Sequence, residues 1–383
     1  MRTWIEINRE ALLHNLQQIR QTLPESTLLA PVVKANAYGH GLNEVVKVLA
    51  EHSQFFCVDS FDEARQVKEL APHAHVLIMG YQELGSLEYN DWLPGMEIVV
   101  FDKHSLTLLQ KKALEREIRI GVHLKVETGL NRLGMSEIDV HASVAILTEC
   151  ENLELSGLYT HYANVEDTLD PEFYITQHSR FSSVCAPYRE KIKSGLLIHS
   201  CASAAALLHP EASSGLARIG IAMYGCYSSW QTLLSMREKN NPFVELKPVM
   251  SVKTRVAQIK EVKKGETVGY GCTHRVLRDS KVAVLPVGYY DGYLRCFGAR
   301  ASVLIQGQRA PVIGRVAMNM CMLDVSHLES VSPGEEVVLL GVQGSESIGA
   351  QELADWGNTI HYEILTSFKE HLPRVLIKGE GDS

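Results

Sequence analysis

Leu28-Leu29-Ala30-Pro31-Val32-Val33-Lys34-Ala35-Asn36-Ala37-Tyr38-Gly39-His40-Gly41 is the stretch that decides how this chain folds. Its first six residues read as a short buried strand, and the polar run behind them reads as a turn bounded by glycine. The design returns along the chain: apolar runs at Leu28–Val33, Phe55–Val58, Val76–Met79, Ile98–Phe101, Val122–Val126, Leu153–Tyr159, Leu196–His199 and Leu216–Ile219 are candidate strands. Between them lie helical patterns such as Arg9–Thr22, Leu42–His52, Phe61–Glu69 and Leu106–Glu115, in which apolar positions return at three- and four-residue spacing. Eight such units predict an α/β fold with an N-terminal (β/α)8 TIM-type barrel. An open doubly wound sheet would carry a Gly-rich dinucleotide turn after its first strand, and no G-x-G-x-x-G is present.

After about Tyr227 the text changes to Val-rich segments punctuated by Gly and Pro: Val252–Ile259, Val282–Val287, Ala301–Ile305, Ala310–Arg315, Met322–Val325 and Glu336–Leu340. This half predicts a C-terminal, mostly β domain. Gln231–Pro248, with the polar run Arg237 to Pro242, is the candidate linker, so the expected division is an N-terminal strand over 1–8 packing with the C-terminal domain, a barrel over 9–230 and a β domain over 231–383.

With 383 residues, 37 Lys+Arg against 45 Asp+Glu, and a formal net charge of −8, the composition is that of an ordinary globular protein. The acidic balance and the lack of a basic run argue against nucleic acid as a partner, since phosphate binding draws on clustered Lys and Arg. Charge returns too early in Met1-Arg2-Thr3-Trp4-Ile5-Glu6 for a signal peptide, and the longest uncharged stretches, Ser194–Pro210 and Ile219–Met236, are too broken by polar residues to predict a membrane span. Eight cysteines without a C-x-x-C pair predict neither a zinc site nor a disulfide framework, which points to a reducing cytoplasm.

In a barrel, functional groups gather behind the C-terminal ends of the strands. Here those positions hold Lys34, then Lys125 to Gly129 with Arg132 just beyond, then Thr160-His161-Tyr162, His199 to Ser203, and Arg218 to Ile221. A lysine directly behind an apolar strand is expected to be partly desolvated, which favours the neutral amine needed for Schiff-base chemistry. Ser203, the Gly220 and Ile221 amides and Tyr38 would add donors suited to a phosphate. Lysine, phosphate donors and a nearby arginine together suggest pyridoxal phosphate.

At this point the text resembles a known family. Pro31 to Gly41 is similar to the pyridoxal-phosphate attachment signature of bacterial alanine racemases, and further segments recur in order at Lys125–Gly134, His161, Arg218–Gly225, Leu246–Val256, Gly288–Arg295, Gly314–Val325 and Tyr362-Glu363. The resemblance runs from about Trp4 to Pro373. It implies a barrel followed by a β domain, a homodimer with shared active sites, and reversible interconversion of L- and D-alanine, supplying D-alanine for peptidoglycan in a bacterial source. By the same resemblance Lys34 would be the attachment lysine and one acid/base group. Tyr270, reaching in from the partner subunit, would be the other, because a racemase needs proton-transfer groups on both faces of Cα. Arg218 would face the pyridine nitrogen and His161 would support that arginine. Arg132 would contact the phenolic oxygen, and Lys125 would be a carbamylated lysine that orients Arg132. Tyr38, Ser203, Gly220, Ile221 and Tyr362 would hold the phosphate. Tyr289 and Met318 would line the substrate mouth, with Arg295 and Arg315 near the access channel.

Several positions depart from the pattern: Glu127 stands in place of Asp, Leu130 in place of Met, Ala202 in place of Asn, Tyr290 in place of Ala, and Asn319 in place of Asp. Ala202 and Asn319 change polarity, which keeps open a racemase of the same mechanism for serine or another small amino acid. A barrel-fold decarboxylase would share the lysine but use a cysteine opposite it and a Gly-rich phosphate loop. A non-catalytic pyridoxal-phosphate carrier would consist of the barrel alone.

Overall fold

The computed structural model describes residues 1–86, 91–238 and 244–379, which form two compact units. One comprises Leu12–Ala35 and Val45–Lys247; the other comprises Met1–Ala11, Asn36–Glu44 and the chain from Pro248 onward.

The first unit is the barrel. Its parallel strands are Leu28–Pro31, Phe55–Val58, His75–Ile78, Met96–Val100, Ile120–Lys125, Leu153–Tyr159, Leu197–His199 and Leu216–Ile219. The second to seventh pair in sequence order and the eighth pairs with the first. Val32 bridges to Cys57, and the Arg218 amide donates to the Cys201 carbonyl at 3.0 Å, so the ring closes at both remaining seams. Strands covered on both faces need apolar residues on both, which is why Phe55–Val58 is buried throughout. Helix starts follow local chemistry: Ser60 and Glu63 form a capping box before Phe61–Leu70, and the Asp102 and Ser136 side chains cap Lys103–Arg116 and Glu137–Thr148. The expected polar linker begins instead as helix Trp230–Glu238, which packs on Ser203–Leu208; residues 239–243 lie outside the described residues. The units therefore divide at Lys247/Pro248, later in the chain than 230/231.

The second unit is built on a sheet whose strands run in the order Gln258–Val262, Ser280–Leu285, Cys321–Asp324, Gln308–Ile313, Ser302–Ile305, Glu336–Gln343, Met250–Arg255, Thr3–Asn8 and Arg374–Ile377. The N-terminal strand pairs antiparallel with Met250–Arg255 and parallel with Arg374–Ile377. The run expected as one strand over Val252–Ile259 breaks after Arg255 because its two parts take different partners, Thr3–Asn8 and Glu336–Gln343 for one and Ser280–Leu285 for the other. This unit also holds two short helices that the strand pattern did not foretell, Ala350–Gly357 and His361–Ser367. Among the described residues no helix is long and apolar enough to cross a membrane, and no group of three His, Cys, Asp or Glu is placed to hold a metal ion.

The chain leaves its first barrel strand through Lys34–Tyr38, a single left-handed helical turn: Ala35, Asn36, Ala37 and Tyr38 have φ of 53°, 52°, 53° and 54°. Each such residue costs roughly 1–2 kcal/mol relative to the right-handed form. The hydrogen bonds behind the turn offset that cost. Asn36 accepts the Leu42 amide on its side chain at 2.7 Å and the Gly41 amide on its carbonyl at 3.0 Å. Arg374 donates twice to the Gly39 carbonyl, at 3.0 and 2.9 Å. Gly39 follows at φ 83°, where a Cβ would stand 2.1 Å from the Leu365 carbonyl oxygen. Gly39→Ala combines strain with a backbone clash, so it should lower the unfolding free energy by on the order of 3 kcal/mol, read as a fall in the urea midpoint. An unchanged midpoint would mean that the backbone here relaxes freely.

Candidate active site

The fold brings one set of expected residues to the C-terminal end of the barrel. Lys34 follows the first strand, Lys125 ends the fifth, His161 lies just behind the sixth, Ser203 opens the helix behind the seventh, and Arg218 lies in the eighth with Gly220 and Ile221 behind it. Arg132 is exposed on the loop after the fifth strand. That loop is shaped by Glu127, whose carboxylate accepts the Gly129 and Asn131 amides at 2.5 and 3.0 Å.

Lys34 is half-buried: its side chain keeps 38% exposure and its Nζ lies 3.8 Å from Asp59 Oδ1. Desolvation acts on Lys125, which is 4% exposed and 5.6 Å over the Tyr159 ring. Burial, reinforced by the charges of Arg132 and Arg218, lowers its pKa to about 8. Burial and the charges of Arg218, Arg132, Lys125 and Lys34 likewise push His161 down to about 3, so its imidazole is neutral. Four cationic side chains, Arg218, Arg132, Lys125 and Lys34, thus act together on His161.

Arg218 is 3% exposed. Nη2 donates to the Thr160 and Ser200 carbonyls at 2.9 and 3.1 Å, Nη1 donates to His199 Nδ1 at 2.5 Å, and the guanidinium lies 4.9 Å over the Tyr159 ring. The imidazole that takes a hydrogen bond from Arg218 is His199, while His161, expected to support that arginine, feels it through its charge. His199 ends its strand pointing inward, and the only sequence signal for it was its place at that strand end.

Ser203 Oγ accepts the Gly220 amide at 3.1 Å and the Ala222 amide at 3.4 Å, a contact with Ala222 that the sequence pattern did not indicate. Ala202, at the N-cap position before Ser203, makes no side-chain cap, which leaves the amides of that turn to other acceptors. A hydroxyl, backbone amides, a buried arginine and a lysine match the donors that pyridoxal phosphate requires.

The remaining expected residues belong to the second unit. Tyr38 and Tyr362 lie together there, with ring centroids 6.3 Å apart. Tyr270 stands 72% exposed between Gly269 and Gly271, whose φ of 76° and 74° turn the chain sharply behind strand Thr267–Val268. A Cβ on Gly271 would meet Arg315 Nη1 at 2.9 Å, so Arg315 packs on this turn. Tyr289 and Met318 sit on neighbouring loops, joined by the Tyr289 amide to the Ala317 carbonyl at 3.1 Å and the Tyr290 amide to the Met318 carbonyl at 2.9 Å.

Lys125 yields a pH test. Its native pKa of about 8 lies below the ordinary 10.5, so between those values the unfolded chain holds a proton that the folded one has lost. The cost of burying this amine is then full below about pH 8 and relieved as pH rises toward 10.5. In buffer free of bicarbonate, the stability gain of Lys125→Met over the parent should shrink from about pH 7 to about pH 10. A difference that stays constant would place the amine in a solvated setting.

Comparison with known proteins agrees with this geometry. The alanine racemase N-terminal domain profile matches residues 7–228 and the C-terminal domain profile matches residues 249–376. The alanine racemase of Carboxydothermus hydrogenoformans is 37% identical over 379 residues, covering 98% of this chain and 99% of that one. The solved alanine racemase of Clostridium difficile 630 superposes with a TM-score of 0.89 at 27% identity, covering 99% and 96% of the two chains. That of Bacillus anthracis with bound L-Ala-P gives 0.86 at 29% identity and the same coverage. The chain belongs to the alanine racemase family.

Proposed function

We propose that the protein interconverts L-alanine and D-alanine with pyridoxal phosphate attached through Lys34. The observation that supports this most directly is the buried Arg218 among Lys34, Lys125 and the neutral His161 at the barrel's strand ends, with Ser203 and the Gly220 amide beside them. When bound, the cofactor withdraws electrons from the amino acid's Cα and so acidifies its Cα–H. Lys34 then moves a proton at Cα on one face and Tyr270 on the other. Arg218 can only donate, so toward the ring nitrogen it acts as a hydrogen-bond donor and leaves that atom without a proton of its own. Tyr38, Ser203, Gly220, Ile221 and Tyr362 would hold the phosphate, Arg132 the phenolic oxygen, and Met318 and Tyr289 the mouth of the site. A Lys125 amine with a pKa of about 8 has a neutral fraction that can add carbon dioxide, releasing a proton and leaving a carbamate to orient Arg132.

The working form we propose is a homodimer in which Tyr270, Tyr289 and Met318 serve the partner's barrel. Their exposure of 72%, 39% and 54% in the single chain supports that reading, since each is a large side chain left open to be covered. All eight cysteines are free, which suits a cytoplasmic enzyme, and D-alanine for peptidoglycan would be its product in a bacterium.

Purified protein given pyridoxal phosphate should turn yellow and abolish the optical activity of L-alanine, with serine processed more slowly by about a hundredfold or less in kcat/KM. Borohydride followed by peptide mapping should find the pyridoxyl group on Lys34. Attachment at another lysine would overturn the site, and equal rates on alanine and serine would favour the broader racemase.

Shared sites make a second prediction. Lys34→Ala and Tyr270→Phe homodimers should both be nearly inactive, because each lacks one proton-transfer group in both sites. Refolded together, about half of the dimers pair one chain of each kind, and each such dimer has one complete site, so activity should recover to about a quarter of the parent. No recovery in a sample shown to contain the mixed dimer would mean that both bases come from one chain.

A further inference from the structure

Behind Arg218, a line of polar side chains runs down the inside of the barrel, where apolar packing is the rule. His199 Nε2 lies 2.9 Å from His123 Nδ1, His123 Nε2 lies 2.6 Å from Glu97 Oε2, and Glu97 Oε1 lies 2.8 Å from His75 Nδ1. His123 and His199 are fully buried and Glu97 is 8% exposed, whereas the His75 side chain is 56% exposed. Space for this line is made by two glycines whose φ is not positive. A Cβ on Gly157 would stand 2.2 Å from His123 Nδ1, and one on Gly121 would stand 2.8 Å from Glu97 Cγ. Tyr159 stacks on His199 at 5.0 Å and 7°, while its ring also lies under Arg218.

The two ends of the line dictate every proton in it. A guanidinium has no acceptor, so His199 must accept at Nδ1 and carry its proton on Nε2. That proton is donated to His123 Nδ1, which places the His123 proton on Nε2, directed at Glu97. A carboxylate has only acceptors, and Glu97 receives both His123 and His75. Burial alone would raise the Glu97 carboxyl, but the hydrogen bonds from His123 and His75 outweigh it and hold the pKa at about 2, so the line ends in a fixed negative charge. Donation therefore runs one way, from Arg218 to Glu97, and each bond polarises the next.

We propose that Glu97, acting through His123 and His199, is a positioning residue for the reaction: the relay fixes the tautomer of His199 and, through it, the orientation and counter-charge of Arg218. The link to rate rests on the proposed function; the relay itself does not. Glu97→Gln keeps the shape and removes the charge. It should lower kcat for L-alanine by about tenfold while KM stays within about twofold, as loss of an outer hydrogen-bond partner does elsewhere. The same change made in an Arg218→Lys background should alter kcat by less than about twofold, since a residue that acts through Arg218 has nothing left to act on. Equal losses in both backgrounds, or no loss in a stably folded Glu97→Gln protein, would overturn the proposal. A neutron crystal structure of the cofactor-free parent reads the relay without any assay or variant. Deuterium on Nε2 of both His199 and His123 is expected, and deuterium on Nδ1 of either would refute the one-way relay even in a fully active racemase.

Discussion

A guanidinium kept 3% exposed inside a barrel is tolerable only if its donors meet acceptors and its charge meets some compensation, and Arg218 imposes that demand on everything around it. The Thr160 and Ser200 carbonyls, at the ends of two neighbouring strands, are held by the same Nη2. The Tyr159 ring supports the guanidinium from below. His199 takes the remaining contact and passes the demand inward to His123 and Glu97. Even the backbone composition answers to it, because Gly121 and Gly157 are needed for space rather than for turning.

Like charges shape the rest of the barrel's strand ends. Lys125 and His161 are both pushed toward their neutral forms by burial and by cationic neighbours, and Lys34 has Asp59 at 3.8 Å. Such a cluster is held at a cost that an anion placed among these cations would relieve.

The left-handed turn after Lys34 is a second place where local cost is accepted. Four residues without glycine's freedom adopt positive φ, and the compensation comes from Asn36, from His40 bonding back to Ala37, and from Arg374 far along the chain. His40 is neutral because burial lowers its pKa to about 3, so Nδ1 donates to the Ala37 and Tyr38 carbonyls. No helical or strand period marks this turn in the sequence, since a single αL turn has neither.

The apolar runs by themselves marked the eight barrel strands, with Phe55–Val58, Leu153–Tyr159 and Leu216–Ile219 matching to the residue, because a strand with a covered face keeps apolar residues there even where polar ones such as Glu154 and Arg218 interrupt the run. The polar strand ends likewise mark Lys34, Lys125, Ser203 and Arg218 in the sequence itself. Helices Ala350–Gly357 and His361–Ser367 stayed hidden among strand-like segments, being too short for a 3.6-residue period to declare itself. The sequence could not say that His199 rather than His161 takes the hydrogen bond from Arg218, or that Glu97 stands behind it. Those partners lie on separate strands, 76 residues apart from His123 to His199 and 26 from Glu97 to His123, and only closure of the barrel brings them within hydrogen-bonding distance. Local pattern fixes which face a side chain takes, whereas the partner it meets there is set by the register of other strands.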